Sequence, residues 1–550
     1  MKKKVLASIL SIAMVSGLVA CGSSDSGTTE TTTTQSETAT QSTDSTGTGD
    51  TSSSTDTAAS DIDTSEHVTI TYMTTGTKPT NGATEEMLEQ LNEILTEKVN
   101  AELEIYYIDW TDYLSVYNLT LAQMDGTVDL VGTATDWLDA WPNAKNGAFL
   151  ALDEEMLQTY CPQTYASVSS DHWEMCKYDG DIYLIPEDNY AQWTNHGFAY
   201  RLDWAKEAGL TDGVNSWEDM TTYFKYVTEA YPEITAWDSD GTEYGQLVGG
   251  YITSKTNYVS IDGINSGAMW GGTKDDLYTV YSPYLTETDL LVEYANMMKE
   301  WDEMGVWPTD VLNNTSSSNR DEFRAGQTAA EQHHTQTWTG LCSPANTDNT
   351  LYNDDDDAEV GFFYFGEESQ NVVALSITHG AMAISAASKN PERALMVYDL
   401  IRNDEECYRL FNYGIQGKQW DVDDDGYRIT PESYNSDTDA ITTNFWWGRN
   451  DDLEIRSAEL NWDAIDALYE EYDAIKIDYP YGQFIPDVDD IQSQINNISE
   501  IHTNYMKQIS YGKFTGTAEE IVAEYQQALI DAGIEDVTAE LQSQIDALYK

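Results

Sequence analysis

The stretch VTITYMT, residues 68–74, alternates β-branched and polar residues and predicts a strand. In the following segment, 84–99, Met87, Leu88, Leu91, Ile94, Leu95 and Val99 recur at helical spacing. AELEIYYID (101–109) predicts a second strand, the region near 111–124 a second helix, and VDLVGT (128–133) a third strand. Strand, helix, strand, helix, strand in this order implies a parallel sheet covered by helices. Ligands of such sheets bind at the carboxyl ends of the strands. Those ends are TGTKP, DWTDY and TATDWLDAW, the last both acidic and aromatic. Further along, Ser216 is placed to cap a helix, with Asp219 three residues on. The segment 518–550 is helical in pattern, with a break at Gly533.

The two ends of the pattern differ in kind. Lys2, Lys3 and Lys4 precede an apolar run, VLASILSIAMVSGLVA, too short and wrongly flanked for a lasting membrane span. It closes on LVAC, residues 18–21, which resembles the lipobox of bacterial lipoproteins and makes Cys21 the expected lipidation site. From Gly22 to about Glu66 the chain is Ser, Thr, Asp, Gly, Gln and Ala without an aromatic residue, so a disordered tether is expected there. The body that follows is long enough for two or more domains. Asp plus Glu number 96 against 27 Lys plus Arg, a formal charge of -69 that would repel nucleic acid phosphates and anionic headgroups. Cys161, Cys176, Cys342 and Cys407 are too scattered for a disulfide framework or a zinc site and are expected to be mostly free and buried.

Five stretches, taken in order, carry a family resemblance. GDIYLIPED (180–188) is similar to a GKxYxIP strand, and AYRLDWAKEAGL with NSWEDM (199–220) to YRKDWLDKLGL with TWDEF. EFRAGQTAA (322–330) looks like xFxxGKxAM. SKNPERALMVYDLIRNDEECYRLFNYGIQGKQW (388–420) and LIDAGIEDVTAELQSQIDALY (529–549) complete the set. Together they resemble the extracellular solute-binding proteins of bacterial ABC sugar importers, nearest in type to the large oligosaccharide-binding lipoproteins of Gram-positive bacteria. The resemblance implies an α/β, two-lobe, periplasmic-binding-protein-like fold of type II with the ligand cleft between the lobes. The divisions it implies are a leader (1–21), the tether (22–66), the first part of lobe one (67–186), the first part of lobe two (187–372), a return to lobe one (373–440) and a C-terminal helical part mainly in lobe two (441–550). A monomer tethered by lipid to the outer face of the cell membrane, taking a carbohydrate and meeting permease subunits, follows from it, with no catalysis and no cofactor. Relatives often carry a calcium loop after the TWDEF helix; here only WDSDGTE (237–243) remains, which puts that ion site in doubt.

Sixteen Trp and 36 Tyr suit a sugar site, because a pyranose offers an apolar face to a ring while its hydroxyls need directed partners. The candidate ligand-binding residues are Asp136 and Trp137 after the third strand and Glu187, Asn189, Tyr190 and Trp193 at the first crossing. Trp270, Trp338, His379, Trp446 and Trp447 complete the set. About half of the tryptophans named are expected to pack instead, and adjacent Trp446 and Trp447 cannot both face one side of an extended segment. Trp204, Trp217, Trp301 and Trp307 are assigned to packing, and His333 and His334 to a solvated loop. WDVDDDGYRITPE (420–432) fits a calcium-loop pattern, with Asp421, Asp423, Asp425 and Glu432 as candidate ligands. Glycines on one side and no apolar period on the other deny it the flanking helices of such a loop, and Asp425-Gly426 suits a hairpin turn. Two other readings are a surface glycoside hydrolase, for which no carboxylate pair stands out, and a binding protein for another solute such as a peptide.

Overall fold

Residues 62–550 are described by the computed structural model, except 193–194, 240, 265, 315–318, 347–348 and 356. Cys21, most of the tether and Trp193 therefore lie outside the described residues. The first strands and helices follow the sequence pattern: β1 (Val68–Thr75), α1 (Ala83–Val99), β2 (Ala101–Ile108), α2 (Tyr113–Gln123) and β3 (Leu130–Thr133). β1 lies between β2 and β3 and runs parallel to both. The strand Ala381–Ile384 adds antiparallel to β3, and Ile185–Pro186 adds beyond it. A second sheet has the order Ala330–His334, His196–Arg201, Val360–Tyr364, all antiparallel.

Each sheet has its own core. The first gathers residues from Ile70 to Ile185 and again from Ala381 to Phe411, together with Ile441, Phe445 and Trp447. The second runs from Phe198 to Phe365 and resumes from Tyr481 to Ile545. Residues 441–447, at the start of a segment expected mainly with the second lobe, thus pack in the first. The chain passes between the cores three times, and the crossings are bonded to one another. Asp188 N–H donates to the Ile377 carbonyl (3.2 Å) and Leu375 N–H to Ala191 (3.1 Å), while Ala374 N–H donates to Ile477 (2.9 Å) and Ile477 N–H to Val372 (3.1 Å).

Local chemistry accounts for the element ends. Met87, Leu91, Leu95 and Val99 bury one face of α1, and Asn100 stops the helix in the left-handed region at φ 47. The Ser216 side chain accepts from Asp219 N–H and caps the helix Trp217–Ala230, while the Asp219 carboxylate accepts from Asn215 N–H rather than from Ser216. Gly533, at φ 94, ends the helix Ala518–Ala532 and opens the last one. Cys161, Cys176, Cys342 and Cys407 are free and buried. At the near end of the expected tether, Arg393 donates to the carbonyls of Asp63 (3.0 Å) and Glu66 (3.3 Å), so the chain is already fixed to the body there.

The segment 421–432 forms a hairpin between Asp421–Val422 and Arg428–Ile429. The Asp423 carboxylate accepts from the N–H groups of Asp425 (3.0 Å) and Tyr427 (2.8 Å), and Gly426 takes φ 87. Arg428 is buried over the Tyr413 ring at 4.4 Å, which ties the hairpin to the body.

One acidic residue of the second lobe gives a direct pH test. Burial, aided by the charge of Glu471, pushes the Glu367 carboxyl up to about 8, and its Oε2 has no hydrogen-bond partner among the described residues. A raised carboxyl holds its proton in the native state after the unfolded chain has lost it. Stability present at acid pH is therefore lost as pH rises toward about 8. Glu367→Gln should match the parent near pH 5 and melt a few degrees above it at pH 8.5. Melting curves across that range check this, and a difference that does not grow with pH would sink it.

Candidate functional site

Because β1 lies between β2 and β3, the loops that leave β2 and β3 flank its carboxyl end, and both carry an Asp-Trp pair within their first four residues. Trp110, after β2, is 38% exposed. Its ring lies 6.3 Å from Trp137, after β3, with 24° between the planes, and 6.1 Å from Trp446 at 30°. Tyr113, at the start of α2, approaches Trp110 edge-on at 5.7 Å. Trp446 opens the short 3-10 turn Trp446–Gly448, and the next residue, Trp447, is fully buried. The Trp447 ring stacks against Trp137 at 5.8 Å and 25°. Its Nε1 donates to the Tyr72 hydroxyl, and its carbonyl accepts from Tyr398 at 2.8 Å. Gly132, in β3, leaves room for that indole, because a Cβ there would fall within its ring atoms. Trp447 therefore supports Trp137 from the core side, while Trp110, Trp137 and Trp446 form the wall.

Polar groups lie beside the wall. Thr135 N–H donates to the Thr378 carbonyl (3.2 Å), which ties the β3 loop to the segment before Ala381 and brings Asp136 to His379. Asp136 Oδ2 is 2.7 Å from His379 Nδ1, while its Oδ1 is buried and has no hydrogen-bond partner among the described residues. Burial alone would push the His379 pKa down; the charge of Asp136 and its hydrogen bond outweigh this and raise it. Glu187, 5% exposed, sits 3.7 Å from Arg449. Burial pushes its carboxyl up to about 7, with Arg449 and His379 opposing. A Cβ on Gly380 would lie 2.6 Å from Glu187 Oε2 and 3.0 Å from the Trp446 carbonyl, so the glycine lets three segments meet.

The second lobe reaches this point through Asp262. Its N–H donates to the Tyr479 hydroxyl at 2.8 Å. Its carboxyl is pushed up to about 7, first by burial and then by the charge of Asp136. A Cβ on the adjacent Gly263 would lie 3.8 Å from the Thr135 carbonyl, so loops of the two lobes face each other here. Lys145 adds a second bridge, donating to the Pro486 carbonyl at 3.3 Å.

The candidates named from sequence divide sharply. Asp136, Trp137, Glu187, His379 and Trp446 come together as described. Trp447, also named as ligand-binding, is a correction: it is fully buried in the first core behind Trp137, in keeping with the expectation that one of the pair is structural. Trp270 is a correction: it has no exposed surface and its Nε1 donates to Thr538 of the last helix at 2.9 Å. Trp338 is another; it is 6% exposed and stacks on Phe362 at 5.6 Å in a third, smaller core. Tyr190 packs edge-on against His172 at 5.6 Å, its hydroxyl 3.9 Å from the Met175 sulfur, and Asn189 is half-buried beside it. His333 and His334 are not in a solvated loop. They end the strand Ala330–His334, half-buried against His196, and burial lowers the pKa of both. Trp204, Trp217, Trp301 and Trp307 lie in the second core, as assigned.

Two groups escaped the sequence reading. Trp110 carried a usable signal, since its Asp-Trp pair repeats that of Asp136-Trp137 at the equivalent end of the next strand but one in space. Asp262 carried none: Asp262-Gly263 reads as an ordinary turn.

Comparison with known proteins bears on this arrangement. A structure of an N-glycan transport solute binding protein (NgtS) from Streptococcus pneumoniae superposes with a TM-score of 0.65, over 88% of this chain and 99% of that one, at 19% identity. The chain has the solute-binding-protein fold. It is the two-lobe, type II form, with mixed helix and sheet. An HMO-binding, ABC-transporter-associated solute binding protein from Bifidobacterium longum infantis shares the fold at a TM-score of 0.63 and 15% identity, over 88% and 99% of the two chains. In sequence, a carbohydrate ABC transporter substrate-binding protein of Streptococcus pneumoniae serotype 4 is 22% identical, aligned over all of this chain and 99% of that one. Residues 480–550 match a domain of unknown function, DUF3502. Trp110, Trp137 and Trp446 thus stand beside Asp136 and His379 where Asp262 of the second lobe faces the first.

Proposed function

We propose that this chain captures an oligosaccharide between its lobes and hands it to the permease of an ABC importer, without acting on it chemically. The observation that carries this reading is the aromatic wall of Trp110, Trp137 and Trp446 set directly against hydrogen-bonding groups of both lobes. Flat rings beside Asp136, His379 and Asp262 match the two faces of a sugar, one apolar and one hydroxylated. The full-length match to a carbohydrate transporter substrate-binding protein supports it. Closure of the hinge would complete the site around the ligand. No helix among the described residues is long and apolar enough to cross a membrane. The proposal includes a lipid anchor at Cys21 that holds a monomer on the outer face of the membrane.

The test is a thermal-shift panel of glycans against peptides. A ligand that binds the native state alone, at a hundred times its Kd, stabilises by about 2.7 kcal/mol. The expected result is a rise in melting temperature with one class of glycan and none with peptides. A response to peptides alone would overturn the reading. The panel also addresses a hydrolase, for which the facing Asp136 and Asp262 are the observation of interest. Labelled oligosaccharides should be recovered intact, and a cleaved product would refute capture without chemistry.

A further inference from the structure

The cations around the site are engaged by acceptors. His379 faces Asp136 at 2.7 Å. Arg449 lies between Glu187 at 3.7 Å and Asp451 at 3.0 Å. Arg402, deeper, gives its donors to the carbonyls of Pro186 (2.8 Å) and Glu187 (3.0 Å), and His172 faces Asp188. At the rim, Lys78 in the loop after β1 is 3.7 Å from Glu85, and Lys145 reaches Asp487 at 3.9 Å. The histidines of the second sheet add no charge at neutral pH, because burial lowers His196 to about 4 and depresses His333 and His334 as well.

The acceptors are less committed. Asp136 keeps one buried oxygen without a partner among the described residues, and Asp262, its carboxyl hydrogen-bonded to the Tyr479 hydroxyl, enters from the opposite lobe. Hydroxyl and amide N–H donors would satisfy these oxygens. A carboxylate or sulfate on the ligand would meet Asp136, and Asp262 once it ionises above about pH 7, as like charges, with no open cation among the described residues to offset the repulsion.

We infer that the site admits uncharged oligosaccharides and rejects those bearing carboxylate or sulfate, with Asp136 and Asp262 as the rejecting groups. This rests on oligosaccharide capture as the function. It is distinct from the general repulsion by the chain's formal charge of -69, which acts over the whole surface and is screened by salt.

Titration calorimetry at pH 8, above the Asp262 carboxyl's value of about 7, tests it with matched pairs: neutral gluco-, manno- and galacto-oligosaccharides, each beside its counterpart oxidised at C6 to the uronate. The neutral member of the binding pair should be favoured by about a hundredfold, the scale of a like-charge contact in a closed interface. The gap should persist from 0.15 to 0.5 M salt. In Asp262→Asn and Asp136→Asn it should narrow by about tenfold, since either change removes one of the two charges. A uronate that binds as well as its neutral partner would overturn the inference and leave oligosaccharide capture standing. So would a gap that survives in both variants or disappears with salt. Silence from every saccharide, with a response to peptides, would instead remove the function on which the inference rests.

Discussion

Trp447→Ala is expected to destabilise the first lobe by about 3–5 kcal/mol, the usual cost of emptying a buried indole site. The ring has no exposed surface, stacks on Trp137 and donates to the Tyr72 hydroxyl, whose own proton goes to the Asn444 carbonyl at 2.8 Å. Its removal therefore leaves both a cavity and an altered hydrogen-bond chain. Chemical denaturation should show the loss directly. Gly132→Ala attacks the same place from the other side, because the added methyl would overlap the indole. Overpacking of that kind costs about 1–3 kcal/mol. If both variants unfold with the parent, Trp447 is not the support that its geometry indicates.

Trp110→Ala should do the opposite: leave stability nearly unchanged and weaken oligosaccharide binding strongly. Trp110 stands outermost in the wall, 38% exposed, so truncating it opens no cavity in the core. An aromatic anchor of an interface is worth about 2–4 kcal/mol, which corresponds to some thirtyfold to several-hundredfold in Kd. Calorimetric titration of the responding glycan, with a melting curve on the same sample, separates the two effects. A Trp110 variant that binds like the parent would take the ring out of the site. Loss of binding together with a large drop in melting temperature would make it a structural residue.

These two tryptophans also mark how far the sequence was legible. The strands and helices around β1 were readable because each carries its own period, and β2 and β3 differ from the predicted spans by two residues or fewer. The location of Asp136 and Trp137, though not their part in binding, was readable because the carboxyl end of a parallel strand is a place fixed by topology. Trp270 and Trp338 were misjudged for a common reason. Their neighbours in sequence are Gly, Thr and Gln, which suggested solvent or ligand, yet burial is decided by partners far along the chain. Thr538, 268 residues away, receives the Trp270 proton, and nothing near Trp270 announces that. His333 and His334 were misplaced because two polar residues in a row hid the end of a strand. Asp262 was invisible for the deepest reason, as its role exists only when the second lobe faces the first.

The three crossings have a mechanical consequence. Two bodies joined by a single segment can twist, slide and tilt independently. Here the segments near 188–191, 372–377 and 477 are laced together by backbone hydrogen bonds, so they bend as one ribbon. A ribbon resists stretching and shearing in its own plane and yields easily along one axis. The lobes should then move as covers on a spine, with one angle describing the whole excursion. One pair of distance labels, one on each lobe, would follow that angle from empty to full. The size of the cargo would be read as the angle at which the covers stop.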